Sequence, residues 1–323
     1  MRATATDTRF RHEAMLYAGP EQFAERMGVF VRDALAADEP ILVAGAEPRM
    51  SMVREALGRD ARRVDFLDMG EVGRNPARII PVWTDWVDRH ADSGRPFRGV
   101  GEPVWPGRGA SEIVECWQHE QLLDVAFDDG PGWWLLCPYD AETLPFDAII
   151  GAYNTHPDLT DVAGRSRPGS HPHPATSREA MFCAPLPERP TAVLYNARFD
   201  RDSLHALRER VTVHAAAEGL TGRRVTDLAF AVHELACNSV LHGGGAGCLR
   251  LWRERDRVVC EVQDRGVIED SLVGRRRPAG AIGGAGLWLV NQLADLVQIR
   301  SGPELGTVVR IQMALGASER LAA

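Results

Sequence analysis

The first 160 residues alternate between two hydrophobic periods. In "PEQFAERMGVFVRDALAAD" (20–38), "PRMSMVREALG" (48–58), "NPARIIPVWTDWVDRHADSG" (75–94) and "ASEIVECWQHEQLLDVAFDD" (110–129), apolar residues recur three and four apart, the spacing of a helix with one buried stripe. Between them, "PILVAGA" (40–46), "VDFLDM" (64–69), "FRGVGEPVW" (97–105) and "GWWLLCPYDA" (132–141) are short apolar runs bounded by Gly, Pro and acidic residues, and they predict buried strands. Helix alternating with strand implies a mostly parallel sheet with helices on its faces, an α/β unit over residues 9–160.

From 161 to 189 the periodicity stops. "DVAGRSRPGSHPHPATSREAMFCAPLPER" is rich in Pro, Gly, Ser and Arg and reads as a linker. His171 and His173 within it could hold a metal, but two His in such a tract read first as solvated linker. A second unit follows over 190–315. It starts with a strand, "TAVLYNARF", and two helices, "DSLHALRERVTVHAAAEGL" and "RRVTDLAFAVHELACNSVLHGG". A hairpin, "CLRLWRERDRVVCEVQDRG", and a loop rich in Arg and Gly come next, then a helix over "GLWLVNQLADLVQIRS" (286–301) and a final strand "GTVVRIQMAL". Helices segregated on one face of a largely antiparallel sheet predict an α+β two-layer sandwich.

Composition narrows the chemistry. At 323 residues and 45% hydrophobic, the chain can bury two cores. Its net charge of -8 argues against a nucleic acid or an anionic membrane as the main partner. All 37 basic side chains are Arg, which removes the Walker-type P-loop and the ordinary protein-kinase fold, since each needs a Lys on the nucleotide phosphates. Cys116, Cys137, Cys183, Cys237, Cys248 and Cys260 form no C-x-x-C pair, the start "MRATATDTRFRHE" lacks an apolar core, and no stretch approaches the roughly 18 apolar residues that span a bilayer. The expectation is a soluble, cytoplasmic protein.

One helix carries unusual polarity. In "HELACNSVLHG" (233–243), Glu234 and Asn238 lie one turn apart on a stripe that Asp227 and His242 continue, while Val232, Leu235, Ala236 and Val240 point elsewhere. Two further stretches, "VQDRG" (262–266) and "GGAGLWLVNQLAD" (283–295) with "GTVVRI" (306–311), complete an ordered set. These three boxes resemble the GHKL ATPases, the Bergerat-fold group of histidine kinases, Hsp90-like and gyrase-type enzymes, and within it the anti-sigma-factor serine kinases of the RsbW/SpoIIAB type.

That resemblance implies ATP and Mg²⁺. Asn238 would be the Mg²⁺ ligand through its neutral carboxamide oxygen, and Glu234 the general base if burial raises its pKa. Asp264 would accept the adenine exocyclic N–H₂, with Gly266 letting backbone approach the base. Gly283, Gly284, Gly286 and Leu287 would present backbone N–H groups to the phosphates at a helix start, a way to hold anions without Lys. Arg275, Arg276 and Arg277 could reach the γ-phosphate or lie solvated, and Thr307 would support the adenine end. Before the motif helix, His205 and His214 lack the context of a phosphoacceptor His and a second long helix is absent, which favours a Ser/Thr acceptor.

Residues 9–158 resemble the MEDS (methanogen/methylotroph sensory) domain, a P-loop-like α/β fold, through "HEAMLYAGPEQFAERMGVFVRDAL", "GEPVWP", "ECWQHEQLLD" and "WLLCPYDA". "LVAGAEPRMSMV" stands where a P-loop would have Gly and Lys, so no functional Walker A is expected there. The resemblance implies a small ligand, with His12, Glu102, Glu115, His119, Glu120, Cys137 and Tyr139 as candidate pocket residues. Glu115 and His119, at i and i+4, have a spacing that can hold a metal. Six Trp in this unit read first as core, and as walls of a ligand pocket second.

The combined expectation is a signalling kinase that phosphorylates an anti-anti-sigma partner under control of the sensory unit, and a homodimer by resemblance. The alternatives are a module that sequesters a sigma factor without catalysis and an atypical sensor histidine kinase. No direct nucleic-acid or membrane partner is expected.

Overall fold

A strand that the hydrophobic pattern hides lies deep in the first sheet. β1 (Arg11–Tyr17) pairs in parallel with β5 (Trp134–Asp140) on one side and with β6 (Asp158–Thr160) on the other. Its sequence RHEAMLY does not alternate, because both faces are covered and the buried positions include His12 and Glu13. The computed structural model describes residues 9–170, 182, 186–278 and 284–316, and it divides into two compact units, Met1–Ser177 and Arg178–Ala323. His171, His173, Cys183 and Gly283 lie outside the described residues.

In the first unit, α1 (Gly19–Ala36), β2 (Ile41–Gly45), α2 (Arg49–Leu57), β3 (Asp65–Asp68), α3 (Met69–Val72), α4 (Ile79–His90), β4 (Arg98–Gly101), α5 (Ala110–Phe127) and α6 (Phe146–Thr155) complete the framework with β7 (Ser166–Pro168). Among the described residues the sheet runs β3-β2-β4-β5-β1-β6-β7, and every pairing is parallel except that of β6 with β7. β7 falls inside the stretch read as linker, so the ordered sheet extends past residue 160. "LVAGAEPRMSMV" runs from the second strand of the unit into α2, and the first strand passes to α1 through Ala18.

Side chains sort by the two-residue period of the strands. Met15, Tyr17, Ile41, Val43, Val100 and Leu136 pack with Phe23, Met27 and Val31 of α1 and Val53 and Leu57 of α2. Of the six Trp, Trp83, Trp86 and Trp133 are buried, and Trp133 meets Trp83, Phe10, Phe97 and Phe127 ring to ring.

The second unit holds β8 (Tyr195–Asp200), α7 (Leu204–Ala217), α8 (Arg223–His242), β9 (Ala246–Glu254), β10 (Arg257–Asp264), α9 (Gly286–Leu293), β11 (Leu296–Gly302) and β12 (Gly306–Ala314). The sheet is antiparallel throughout, in the order β11-β12-β10-β9-β8. Leu249, Leu251, Cys260, Val262, Val309, Ile311 and Met313 form one core with Leu228, Val232 and Leu235 of α8 and Val290 of α9, so the helices share a face.

The helix expected over 286–301 is two elements. α9 ends at Leu293, and Val297 and Ile299 then alternate with Gln298 and Arg300 as β11. Asp295 marks the change by accepting the Ala314 N–H at 2.7 Å and pairing with Arg224. The opposite face of the sheet is polar yet buried: Arg310 grips Glu261 at 2.8 and 3.1 Å, and Arg250 and Arg189 add contacts at 3.3 and 3.1 Å. Arg310 also donates to the Pro187 carbonyl at 3.0 Å, which fixes residues 187–189 to this face and starts the second unit before residue 190.

Candidate functional site

α8 buries Leu228, Ala231, Val232, Leu235, Ala236 and Ser239 on one stripe, which leaves Glu234 and Asn238 half-buried beside it and His242 exposed at the end. The stripe anchors the helix on the sheet. Its edge overlooks a cavity of about 370 Å³, within the range of roughly 300–1,000 Å³ usual for small-molecule sites. Asn238, Asp264, Gly266, Gly284, Gly286, Leu287 and Thr307 all line it, so three distant stretches of sequence meet in one place. Leu235, Val262, Ile268, Val273 and Val309 supply apolar wall.

The closed end is a hydrogen-bonded chain. Asp264 and Thr307 stand directly opposite each other across the β10–β12 pair. Asp264 accepts from the Ser239 hydroxyl at 2.6 Å through one oxygen and from the Gly266 N–H at 2.8 Å through the other. Thr307 donates to the Gly266 carbonyl at 2.8 Å and lies 2.8 Å from Ser301 Oγ, which accepts from the Ile268 N–H. Each carboxylate oxygen of Asp264 keeps a further acceptor position, so the group is oriented and still able to accept a ligand N–H. The need for glycine at 266 is mainly one of packing against α8: a Cβ there would come within 2.7 Å of the His242 carbonyl oxygen.

The open end is built around the start of α9. A Cβ on Gly286 would sit 3.0 Å from Glu234 Oε2 and 3.3 Å from Asn238 Nδ2, so both side chains reach the space above that glycine. Gly284 takes a left-handed φ of 81° just before the helix, where backbone N–H groups lack intrahelical partners. A hard carboxamide oxygen, a carboxylate and free helix-start N–H groups are a donor set that fits a magnesium–phosphate group. The three consecutive Arg of the loop separate: Arg275 is buried, whereas Arg276 and Arg277 are exposed.

Sequence reasoning missed Ser239 and Ser301. Ser239 left a signal, since it is a hydroxyl on the otherwise apolar stripe continued from Leu235 and Ala236. Ser301 left none, because it lay in a segment read as helix.

The candidate pocket residues of the first unit do not all meet in one place. His12, Glu120, Cys137 and Tyr139 converge on the face of the sheet that α5 covers, joined by His156 just after α6 and by Asp124. His156 and Asp124 were not anticipated. Burial pushes the Cys137 thiol up to about 12 and the His156 imidazole down to about 3. Glu115 and His119 are buried on α5 but are not part of the converging set of donor atoms.

Glu102 belongs elsewhere, with Arg49, Tyr17 and Asp140 at the carboxyl ends of β1, β2, β4 and β5. Arg49 lies 3.0 Å from Glu102 and 3.1 Å from Asp140, and donates to the Tyr17 hydroxyl at 2.6 Å. Burial pushes the Glu102 carboxyl up to about 8, against the pull of Arg49, the Ala46 N–H and Arg108 and with the push of Asp140. A folded-state pKa above the unfolded one contributes stability below the ordinary carboxylate range and loses it as pH rises through about 8. Glu102→Gln is therefore expected to flatten the alkaline limb of the first unit's stability, followed by urea unfolding from about pH 5 to about pH 9. Parallel pH profiles for the two proteins would refute this.

Two family models match the chain. Residues 11–157 match MEDS, the methanogen/methylotroph, DcmR sensory domain, and residues 197–313 match the histidine kinase-like ATPase domain. The protein thus joins a MEDS domain to an ATPase domain of the histidine kinase-like class. No curated protein matches it. Among solved structures, the RsbU and RsbW domains of Rv1364c from Mycobacterium tuberculosis are similar at 19% identity, over 38% of this chain and 32% of that one, with a TM-score of 0.29. This chain spans about a third of that structure's length. Among the described residues, no helix is long and apolar enough to cross a membrane.

Proposed function

We propose that the second unit binds Mg²⁺-ATP and transfers the γ-phosphoryl group to a Ser or Thr of an anti-anti-sigma partner in the cytoplasm, under control of the MEDS domain. The observation that carries this reading is the meeting of Asn238, Asp264, Gly286 and Thr307 around one cavity, with Glu234 reaching the same glycine as Asn238. Asp264 accepts the adenine amino group, and the start of α9 holds the phosphates with its N–H groups. Asn238 would hold the Mg²⁺, which when bound neutralises phosphate charge. Glu234 takes the proton of the acceptor hydroxyl. The ordered resemblance of the three boxes to anti-sigma serine kinases supports the acceptor and partner assignments.

Titration calorimetry on the full chain tests the site. The natural protein is expected to bind Mg²⁺-ATP in the micromolar range, and Asn238→Ala to weaken that binding by about tenfold or more, the usual scale for a hydrogen-bonded or metal-linked polar contact. An affinity unchanged in the variant, or no binding by the natural protein, overturns the nucleotide reading.

A further inference from the structure

Four donor atoms from separate elements of the MEDS domain meet where the proposed kinase chemistry has no use for them. They come from His12 on β1, Glu120 on α5, Cys137 on β5 and His156 after α6, and each of these residues is 2% exposed or less. The four atoms lie within 4.8 Å of one another. His12 Nε2 is 2.9 Å from Glu120 Oε2 and 3.5 Å from Cys137 Sγ, Cys137 Sγ is 3.7 Å from Glu120 Oε2, and His156 Nε2 is 3.5 Å from the same oxygen. A tetrahedral zinc shell with metal–N and metal–O bonds near 2.1 Å and a metal–S bond near 2.3 Å has donor–donor edges of roughly 3.3–3.7 Å. The four separations just given, 2.9–3.7 Å, lie close to those edges, and the remaining two are within 4.8 Å.

Two of the four ligands are also held from behind by hydrogen bonds, and a third faces a carboxylate. His156 Nδ1 lies 3.0 Å from the Ala152 carbonyl, which can only accept, so that nitrogen carries the proton and Nε2 presents a lone pair. That lone pair is buried without a hydrogen-bond partner among the described residues and faces a carboxylate oxygen, an arrangement that a cation between them resolves. His12 Nδ1 backs onto Asp124 Oδ1 at 3.3 Å, and Glu120 Oε1 accepts from the Tyr139 hydroxyl at 2.9 Å. A carbonyl or carboxylate behind each imidazole is the usual support of a metal-ligating His.

We propose that His12, Glu120, Cys137 and His156 form a closed, four-coordinate site for a divalent transition ion of the zinc class. Thiolate and imidazole donors select such an ion over Mg²⁺ or Ca²⁺. With four protein ligands the site keeps no open position, so its role is to tie β1, α5, β5 and the end of α6 together. Binding releases the Cys137 thiol proton to solvent as the metal–sulfur bond forms.

Metal analysis of the full-length protein, purified without chelator, is expected to find about one zinc per chain, as for a structural site. After chelation and reloading with Co²⁺, a thiolate-to-cobalt absorption band is expected in the near ultraviolet. Cys137→Ser should abolish that band, and His156→Gln should lose stoichiometric zinc while Mg²⁺-ATP binding persists. Natural protein that neither carries nor takes up stoichiometric zinc or cobalt overturns the proposal, as does an unchanged band in Cys137→Ser. The cobalt spectrum of the natural protein decides the matter even where a variant fails to fold.

Discussion

Glu234→Gln is expected to lower phosphoryl transfer by about 10²- to 10⁴-fold, the usual contribution of a positioned general base, while Mg²⁺-ATP affinity changes little. The substitution preserves shape and removes only the ability to take a proton. Glu234 stands at the open end of the cavity, one helical turn from Asn238, and it is absent from the cavity lining itself. Its loss should therefore reach the acceptor hydroxyl more than the nucleotide. The measurement is transfer from γ-labelled ATP to a partner, with the phosphate scored for acid stability. Full activity in the variant would place the base elsewhere. An acid-labile product would point to a His acceptor, and binding without any transfer by the natural protein to a sequestering module.

Asp264→Asn should weaken ATP binding by about 10- to 100-fold, since a hydrogen bond to a charged acceptor contributes about 1.5–3 kcal/mol. The loss should fall more heavily on ATP than on GTP, because the lost acceptor is the one proposed to face the exocyclic amine. The fold should survive. An Asn at 264 can still accept from the Gly266 N–H, and the Ser239 hydroxyl can turn to accept from its amide. Calorimetry with both nucleotides checks this, and equal affinities for natural and variant proteins would falsify the assignment of Asp264 to adenine.

The two units were unequally legible in the sequence. The cavity of the second unit was readable because its polar residues interrupt strong periodic elements: Asn238 and Glu234 mark a stripe on an amphipathic helix, and Asp264 ends an apolar strand. The polar cluster of the first unit was only half readable. His12 lies on a strand covered on both faces, so no alternation announced it, and His156 follows a short helix with no motif around it. Glu102 was grouped with the others by residue type alone, and the sheet sends it to the carboxyl ends of the strands beside Arg49. Periodicity also ran α9 into β11, because Leu296 and Val297, three and four residues after Leu293, continue a helical stripe until pairing with β12 decides.

The opposition of Asp264 and Thr307 across β10 and β12 has a consequence for tolerance to change. A slip of one residue between these strands would move one of the pair by about 3.4 Å and turn it to the other face. What forbids the slip is the apolar lining under the helices beyond the cavity, where Val258, Cys260, Ile311 and Met313 fit only one way. The alignment of the cavity is thus machined at a distance, by residues that no ligand touches. Sequences that drift around the cavity can keep its gauge, whereas drift beneath α8 would blur it.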